Sequence, residues 1–392
     1  MSIRSSSGFS NAQTSLGVDF GHDSTKVLAL NKVGERIDIS LAGAVDNNGS
    51  TLRAGVVTNP KEVGKRLKSF VTEHQVHANQ PVFDVPSNLA VLRWITLPKM
   101  KPEERVTAAK FRVRKHLPFP VESAYIECWD PGDTVTDEVS TLVVAVPKDI
   151  VNSRAETLLY AGMEPKRAEL EAQAILRVVE RRLNRRSALW RDASLTIIDF
   201  GYSTTHMYVI QNQQLQFIRG VKFGANMFHQ AVISGLDCTP DEAAQILHDQ
   251  YTKVNLDGIL TGDIGDRACI VNLSMELEKL RKEIMRLMRY FRSLHPERSY
   301  SGILDQALLV GGLVGLNGLS DYLTYHLGLK IEFARPIAGM MTRFSKETFS
   351  AVSKRQEAFT IAMGLALAGL EEEQNAGGLS DGGTEYSWTR AA

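Results

Sequence analysis

The sequence predicts a two-lobed α/β protein in which each lobe opens on the same charged β-hairpin. Three observations carry that expectation. LGVDFGHDSTKVLAL (16–30) and SLTIIDFGYSTTHMYVI (194–210) share one pattern: strand, Asp-Phe-Gly, hydroxyls, strand. Superposing Asp19 on Asp199 puts Gly21 on Gly201 and Ser24 on Thr204, a repeat at the scale of a domain, not of a solenoid. Late in the chain, QALLVGGLVGLNGLSDYL reads as strand, double glycine, helix, and 392 residues suit two or three domains.

The elements follow in order. Residues 16–20 and 25–30 are strands joined by the charged turn, and 36–40 adds a third. Val63, Leu67, Phe70 and Val71 recur at helical spacing, which predicts an amphipathic helix over 61–76. PVFDVPSNLAVLRWITLP is a strand pair broken at Pro86 and Ser87. Pro102 and Glu103 open a charged helix, EERVTAAKFRVRKHL, that Pro118 and Pro120 stop. A strand over 141–146 precedes a helix from Asp149 to near Gly162, a C-cap. A further helix over 167–184 ends in RRLNRR, where cations suit the dipole. In the second half, GVKFGANMFHQAVISGL runs strand, glycine, helix; 274–291 is a long basic helix; AFTIAMGLALAGL closes the ordered chain.

Composition excludes several classes. Lysine plus arginine equals aspartate plus glutamate at 45 each, so no global field draws nucleic acid or an anionic membrane, although local patches remain open. Cys128, Cys238 and Cys269 lack paired spacing and read as reduced thiols of a cytosolic protein. No apolar run is long enough to span a membrane, and the first residues lack the apolar core of a secretory signal. Residues 1–14 and the acidic, glycine-rich 371–392 are expected to be disordered.

The hairpin turns carry chemistry. Converging backbone N–H groups at a glycine turn make an anion nest, to which Ser24 and Thr25 add donors and Lys26 a point charge. Asp19 cannot face phosphate directly, but it can do so through a divalent cation and its waters. Two such hairpins would clamp a polyphosphate from both sides. Gly311 and Gly312 would let a ribose or adenine approach the backbone; GGLVGLNG does not fit the dinucleotide fingerprint.

DFGHDSTK, DFGYSTT, VGGLVGL and AMGLALAGL, in that order, resemble the two phosphate loops, the adenosine loop and the second connecting element of the actin-like (ribonuclease H-like) ATPase fold. LRWITLPKMKPEERVTAAKFRVRKHLPFPVESAYIECWD, LQFIRGVKFGANMFHQAV, PDEAAQIL and KEIMRLMRYF are similar to the PilM family of type IV pilus assembly, over nearly all of 16–370. The resemblance implies a two-lobed fold with an FtsA-like insertion in the first lobe. The core of that lobe would be 15–80 and 165–193, the inserted subdomain 81–164, and the second lobe 194–370.

It also implies ATP with Mg²⁺ between the lobes. Asp19, Gly21, Ser24, Thr25 and Lys26 would face the phosphates from one side. Asp199, Gly201, Thr204 and Thr205 would face them from the other, with Asp19 and Asp199 reaching the metal through water. Gly311 and Gly312 would border the adenosine, and Lys282, Glu283 and Arg286 would contact the nucleoside. Glu169, on the helix before the second loop, is the candidate to orient attacking water.

The implied partner is a PilN-like bitopic inner-membrane protein, whose short cytoplasmic peptide would sit between core and insertion. That places the chain in the cytoplasm, peripheral to the inner membrane, without nucleic acid or membrane insertion. Other pilus motor or platform components and a homo-oligomer stay open. Pro98, Pro118, Phe119 and Pro120 are the candidate peptide contacts.

His22 and Asp23 replace the usual small hydroxyl residues, Tyr202 replaces a carboxylate, and Leu313 replaces a third glycine. Weak or absent hydrolysis follows. The alternatives are a kinase of this fold, for which no sugar-site base is evident, and an FtsA-like membrane tether, for which the tail is not an amphipathic helix. A type II secretion relative would continue into a membrane span.

Overall fold

The structure is a computed structural model that describes residues 13–47, 52–76, 80–129, 138–184, 194–211, 214–264, 267–294, 303–345 and 352–371, with isolated positions 296 and 348. The expected leader (except for its last two residues) and the expected tail beyond residue 371 lie outside these.

The first half contains β1 (Gln13–Phe20), β2 (Ser24–Val33), β3 (Arg36–Asp46), β4 (Leu52–Arg53), β5 (Val56–Val57), α1 (Pro60–Glu73), β6 (Val82–Val85), β7 (Val91–Pro98) and α2 (Pro102–Val113). After these come β8 (Ala124–Trp129), β9 (Glu138–Pro147), α3 (Lys148–Tyr160), β10 (Arg167–Leu170) and α4 (Glu171–Asn184). The second half runs β11 (Ser194–Phe200), β12 (Thr205–Gln211), β13 (Gln214–Val221), α5 (Asn226–Leu236), α6 (Pro240–His248), β14 (Lys253–Val254), β15 (Ile259–Ile264), β16 (Arg267–Asn272) and α7 (Ser274–Leu294). It ends with β17 (Gln306–Val310), α8 (Leu319–Leu327), β18 (Lys330–Phe333), β19 (Met341–Thr342) and α9 (Thr360–Gly369).

The lobes are built on one plan. The first sheet is ordered β10-β6-β1-β2-β3-β19 and the second β13-β12-β11-β17-β18. In each, an antiparallel three-strand meander is followed by two strands parallel to its first. Asp19 pairs with Lys26 in one hairpin and Asp199 with His206 in the other, so the duplication extends to strand register.

Strand alternation sorts the first sheet's side chains between two layers. Leu16, Val18, Phe20, Val27 and Ala29 face the α1 and α3 side, whereas Leu28, Leu30 and Ile39 face α9. Each buried Leu, Ile or Val contributes about 1.5–3 kcal/mol. Helices α4 and α9 cross between the two sheets. Ala172, Ile175 and Val179 of α4 pack on Ile197, Tyr208 and Leu308, while Ala174 joins Val82, Leu365 and Ala368.

Two expectations change. The predicted helix over 167–184 begins only at Glu171, because 167–170 pairs with β6 as a strand. The strand pair around Pro86 divides between sheets: β6 joins the first lobe, and β7, β9 and β8 form a separate three-stranded sheet covered by α2. That sheet runs from 91 to 147, within the 81–164 expected for the insertion.

Candidate functional site

The two hairpin turns converge on a buried group of carboxylates. Asp19 and Asp199 end β1 and β11, only 6% and 7% exposed, and burial together with Asp84 and Asp199 pushes the Asp19 carboxyl up to about 7 against the pull of Lys26. Asp84 ends β6, fully buried, and its Oδ1 accepts from the Phe20 amide at 2.7 Å. Glu171 opens α4, and burial, then Asp84, Asp199 and Asp19, raise its carboxyl well above the usual range. Its Oε2 accepts from the Ser87 amide at 3.1 Å, while Ser87 Oγ accepts from the Ala172 amide at 2.8 Å, a reciprocal helix cap.

The countercharge is Arg154, from α3. Its guanidinium is wholly buried, 3.5 Å from Asp84 Oδ2 and over the Phe20 ring at 5.8 Å, and it donates to the carbonyls of Gly55 and Ile150. Nε and Nη2 make no hydrogen bond among the described residues. Sequence periodicity hid Asp84, Arg154 and Glu171, since each sits in an ordinary strand or helix. Only the placement of Asp84 at a strand end beside the first hairpin could have found one of them.

The turn glycines are closely approached by their own hairpins. An ideal Cβ on Gly21 would lie 2.7 Å from Lys26 Nζ, so the lysine arches over the turn. Gly311 has φ +116°, and a Cβ there would fall 2.2 Å from the Phe200 carbonyl, which holds the double-glycine loop against the second hairpin. A Cβ on Gly312 would meet nothing within 4 Å. Asp23, Tyr202 and His229 also meet here: the Asp23 charge acts on both rings, whose centroids are 5.7 Å apart.

Some expected contacts are elsewhere. Thr25 and Thr205 are fully buried, because strand alternation turns them away from their neighbours Ser24 and Thr204. Thr25 Oγ1 donates to Asn47 Oδ1 and Thr205 Oγ1 to the Phe223 carbonyl, and Asn47 Nδ2 in turn donates to the Gly21 carbonyl. These hydroxyls brace the turns instead of offering donors to a ligand. Glu169 lies on β10, not on a helix, and its carboxylate is taken by Arg177 and Arg167. Lys282 pairs with Glu278, and Glu283 with Arg286, along α7. Phe119 is half-buried and packs against the cluster of Leu97, Ala109 and Val113 under α2, while Pro98, Pro118 and Pro120 are exposed.

A separate cavity of about 260 Å³, lined by Val178, Leu308, Ala334, Met340, Met363 and Leu367 among others, lies at the α4–α9 seam. No group of three or more His, Cys, Asp or Glu among the described residues encloses a metal directly. The carboxylates do fit a cation held through its waters: Asp19 and Asp199 approach from both hairpins, and a cation would offset the burial and the neighbouring carboxylates that raise the Asp19 carboxyl.

The sequence profile of the type IV pilus assembly protein PilM family matches residues 17–370. The chain belongs to the PilM family. A chain of a PilM–PilN type IV pilus biogenesis complex, 22% identical, superposes with a TM-score of 0.73 over 91% of this chain and 99% of that one. The two chains therefore share one fold. Ethanolamine utilization protein EutJ from Carboxydothermus hydrogenoformans is 12% identical, with a TM-score of 0.48 over 91% of this chain and 89% of that one. MreB 5 of Spiroplasma citri bound to AMPPNP is 13% identical, with 0.49 over 90% and 94%. No helix among the described residues is long and apolar enough to cross a membrane.

Proposed function

We propose that this PilM-family chain is a nucleotide-binding scaffold of pilus assembly that holds ATP with Mg²⁺ between its twin hairpins. The reading rests on one observation: Asp19 and Asp199 occupy the same register position of duplicated hairpins, both nearly buried, and the double-glycine loop packs against the second hairpin at Phe200. ATP would supply the polyphosphate, and Mg²⁺ the charge that bridges it to carboxylates. Lys26 and the turn amides at Gly21 and Gly201 would hold the phosphates, with Ser24 and Thr204 beside them. Gly311 and Gly312 would border the adenosine, and Lys282, Glu283 and Arg286 the nucleoside side.

Glu171, which shares the buried carboxylate group with Asp19, Asp84 and Asp199, would take the water-orienting role expected of Glu169. Burial, and after it Asp84, Asp199 and Asp19, raise its carboxyl well above the usual range, and a cation bound among these acids would lower it again, in keeping with slow hydrolysis. Calorimetry tests the site: Asp19→Ala or Asp199→Ala should abolish magnesium-dependent ATP binding, and unchanged affinity would exclude it.

The PilM of the solved complex is paired with PilN. We infer a like partner here, a bitopic inner-membrane protein offering a short cytoplasmic peptide, which would keep this chain at the cytoplasmic face of that membrane. The three-stranded sheet leaves β7 as an edge, and its Trp94 is 43% exposed, so an extended peptide can add along it. Peptide titration tests this, with Trp94→Ala expected to weaken binding. Of the expected limits 15–80 with 165–193, 81–164 and 194–370, the reading keeps the three-part division but assigns β6, α3, β19 and α9 to the first lobe, which narrows the insertion to the sheet over 91–147.

A further inference from the structure

The chain is neutral overall, yet between Lys99 and Lys115 seven lysines and arginines stand against two glutamates. Helix α2 sorts these charges along its length. Glu103 and Glu104 occupy its first turn, and Lys110, Arg112, Arg114 and Lys115 gather at its C-terminal end and just beyond, all exposed. Within that cationic end Phe111 is 78% exposed, the most exposed large apolar side chain among the described residues. The buried side of the helix, Ala109 and Val113, is already spent on the three-stranded sheet. The outward face is therefore not needed for folding, and among the described residues the one acid paired with these cations is Glu122, 3.8 Å from Arg114 at the surface.

We propose that this end of α2 is a contact surface for an anionic lipid bilayer. Four cations near a negatively charged headgroup layer each gain free energy within a Debye length of it. A single exposed phenyl ring among them enters the headgroup boundary, where an apolar body leaves water without crossing the membrane. The attachment is weak, and by itself it holds the chain to a bilayer only at low salt, where screening is least. It adds to whatever other contact holds the protein there, and a second attachment multiplies affinity through effective concentration. The inference depends on neither the nucleotide site nor the peptide edge.

Co-sedimentation of the full chain with phosphatidylcholine vesicles, with and without phosphatidylglycerol, tests it. Binding is expected only with the anionic lipid and should fall as salt rises from 50 to 300 mM. Lys110→Glu with Lys115→Glu should cut the bound fraction at least about tenfold at low salt, and Phe111→Ser should reduce it severalfold. The positions are exposed, so thermal midpoints should match the parent, and Lys61→Glu with Lys65→Glu on α1 serves as a charge-matched control. Absence of binding to anionic vesicles at low salt, or equal loss in the α1 control, overturns the proposal. So would a surface that captures only an acidic protein partner.

Discussion

Arg154 Nε stands 3.5 Å from Asp84 Oδ2, and neither side chain is exposed to solvent. Asp84 in turn belongs to the buried carboxylate group with Asp19, Asp199 and Glu171, so one guanidinium serves several acids. Removing one partner of a buried ion pair costs more than removing both, because the remaining charge is left without compensation. Arg154→Met should destabilise the fold by about 3–5 kcal/mol in urea titrations. Adding Asp84→Asn should restore part of that loss, and a purely additive double mutant would refute the pairing.

The Asp19 carboxyl is raised from 3.8 to about 7 by folding. At this site the folded state therefore binds more protons than the unfolded one across that window, and the contribution of Asp19 to stability falls as pH rises from about 4 to about 7. Asp19→Asn removes that term, so its thermal midpoint should decline less over this range than the parent's. Because a cation needs the ionised form, magnesium-dependent nucleotide binding below pH 7 should release a proton. Calorimetry in buffers of different ionisation enthalpy would detect it.

Gly311 and Gly312 make a matched pair. Gly311→Ala forces a side chain into a positive-φ site against the Phe200 carbonyl and should cost about 1–3 kcal/mol of stability. Gly312→Ala meets open space and should leave stability within about 0.5 kcal/mol while lowering nucleotide affinity. If both mutants behave alike, the double glycine is a turn and nothing more.

Asn47 bridges Thr25 and the Gly21 carbonyl. Asn47→Ala leaves both without a partner and should cost about 1–3 kcal/mol, with nucleotide affinity falling as the turn loosens. Thr25→Val should do the same to a smaller degree, which would separate bracing of the turn from direct ligand contact.

Glu171→Gln should abolish whatever slow ATP hydrolysis the protein has while leaving binding intact. Glu169→Gln should leave turnover unchanged and reduce stability, since it removes a carboxylate held by Arg177 and Arg167. Single-turnover phosphate release and urea titration distinguish the two.

Much of the fold was legible because it is written twice. Asp-Phe-Gly followed by hydroxyls marks both hairpins, and apolar runs in strand register mark both sheet centres. The acid group was half legible. Asp19 and Asp199 announce themselves in turns, but Asp84, Glu171 and Arg154 become neighbours only through β6, α4 and α3, and no local pattern encodes that meeting. Glu169 was misplaced for the same reason. ELEAQAIL has helical periodicity, yet pairing with β6 claims its first residues, and tertiary pairing outweighs propensity. Thr25 and Thr205 were adjacent to true turn residues, and a one-residue step along a strand reverses the face.

Strand β19 closes the edge of the first sheet, and α9 lies so close to β1 that a Cβ on Gly17 would fall 2.1 Å from the Ala362 carbonyl. The lobe begun by residue 13 is therefore finished by residues 341–369. During translation the nascent chain must emerge from the ribosome almost entirely before its N-terminal half can mature. Until then, the α9 side of that sheet is exposed apolar surface, a target for trigger-factor-like holdases and for premature self-association.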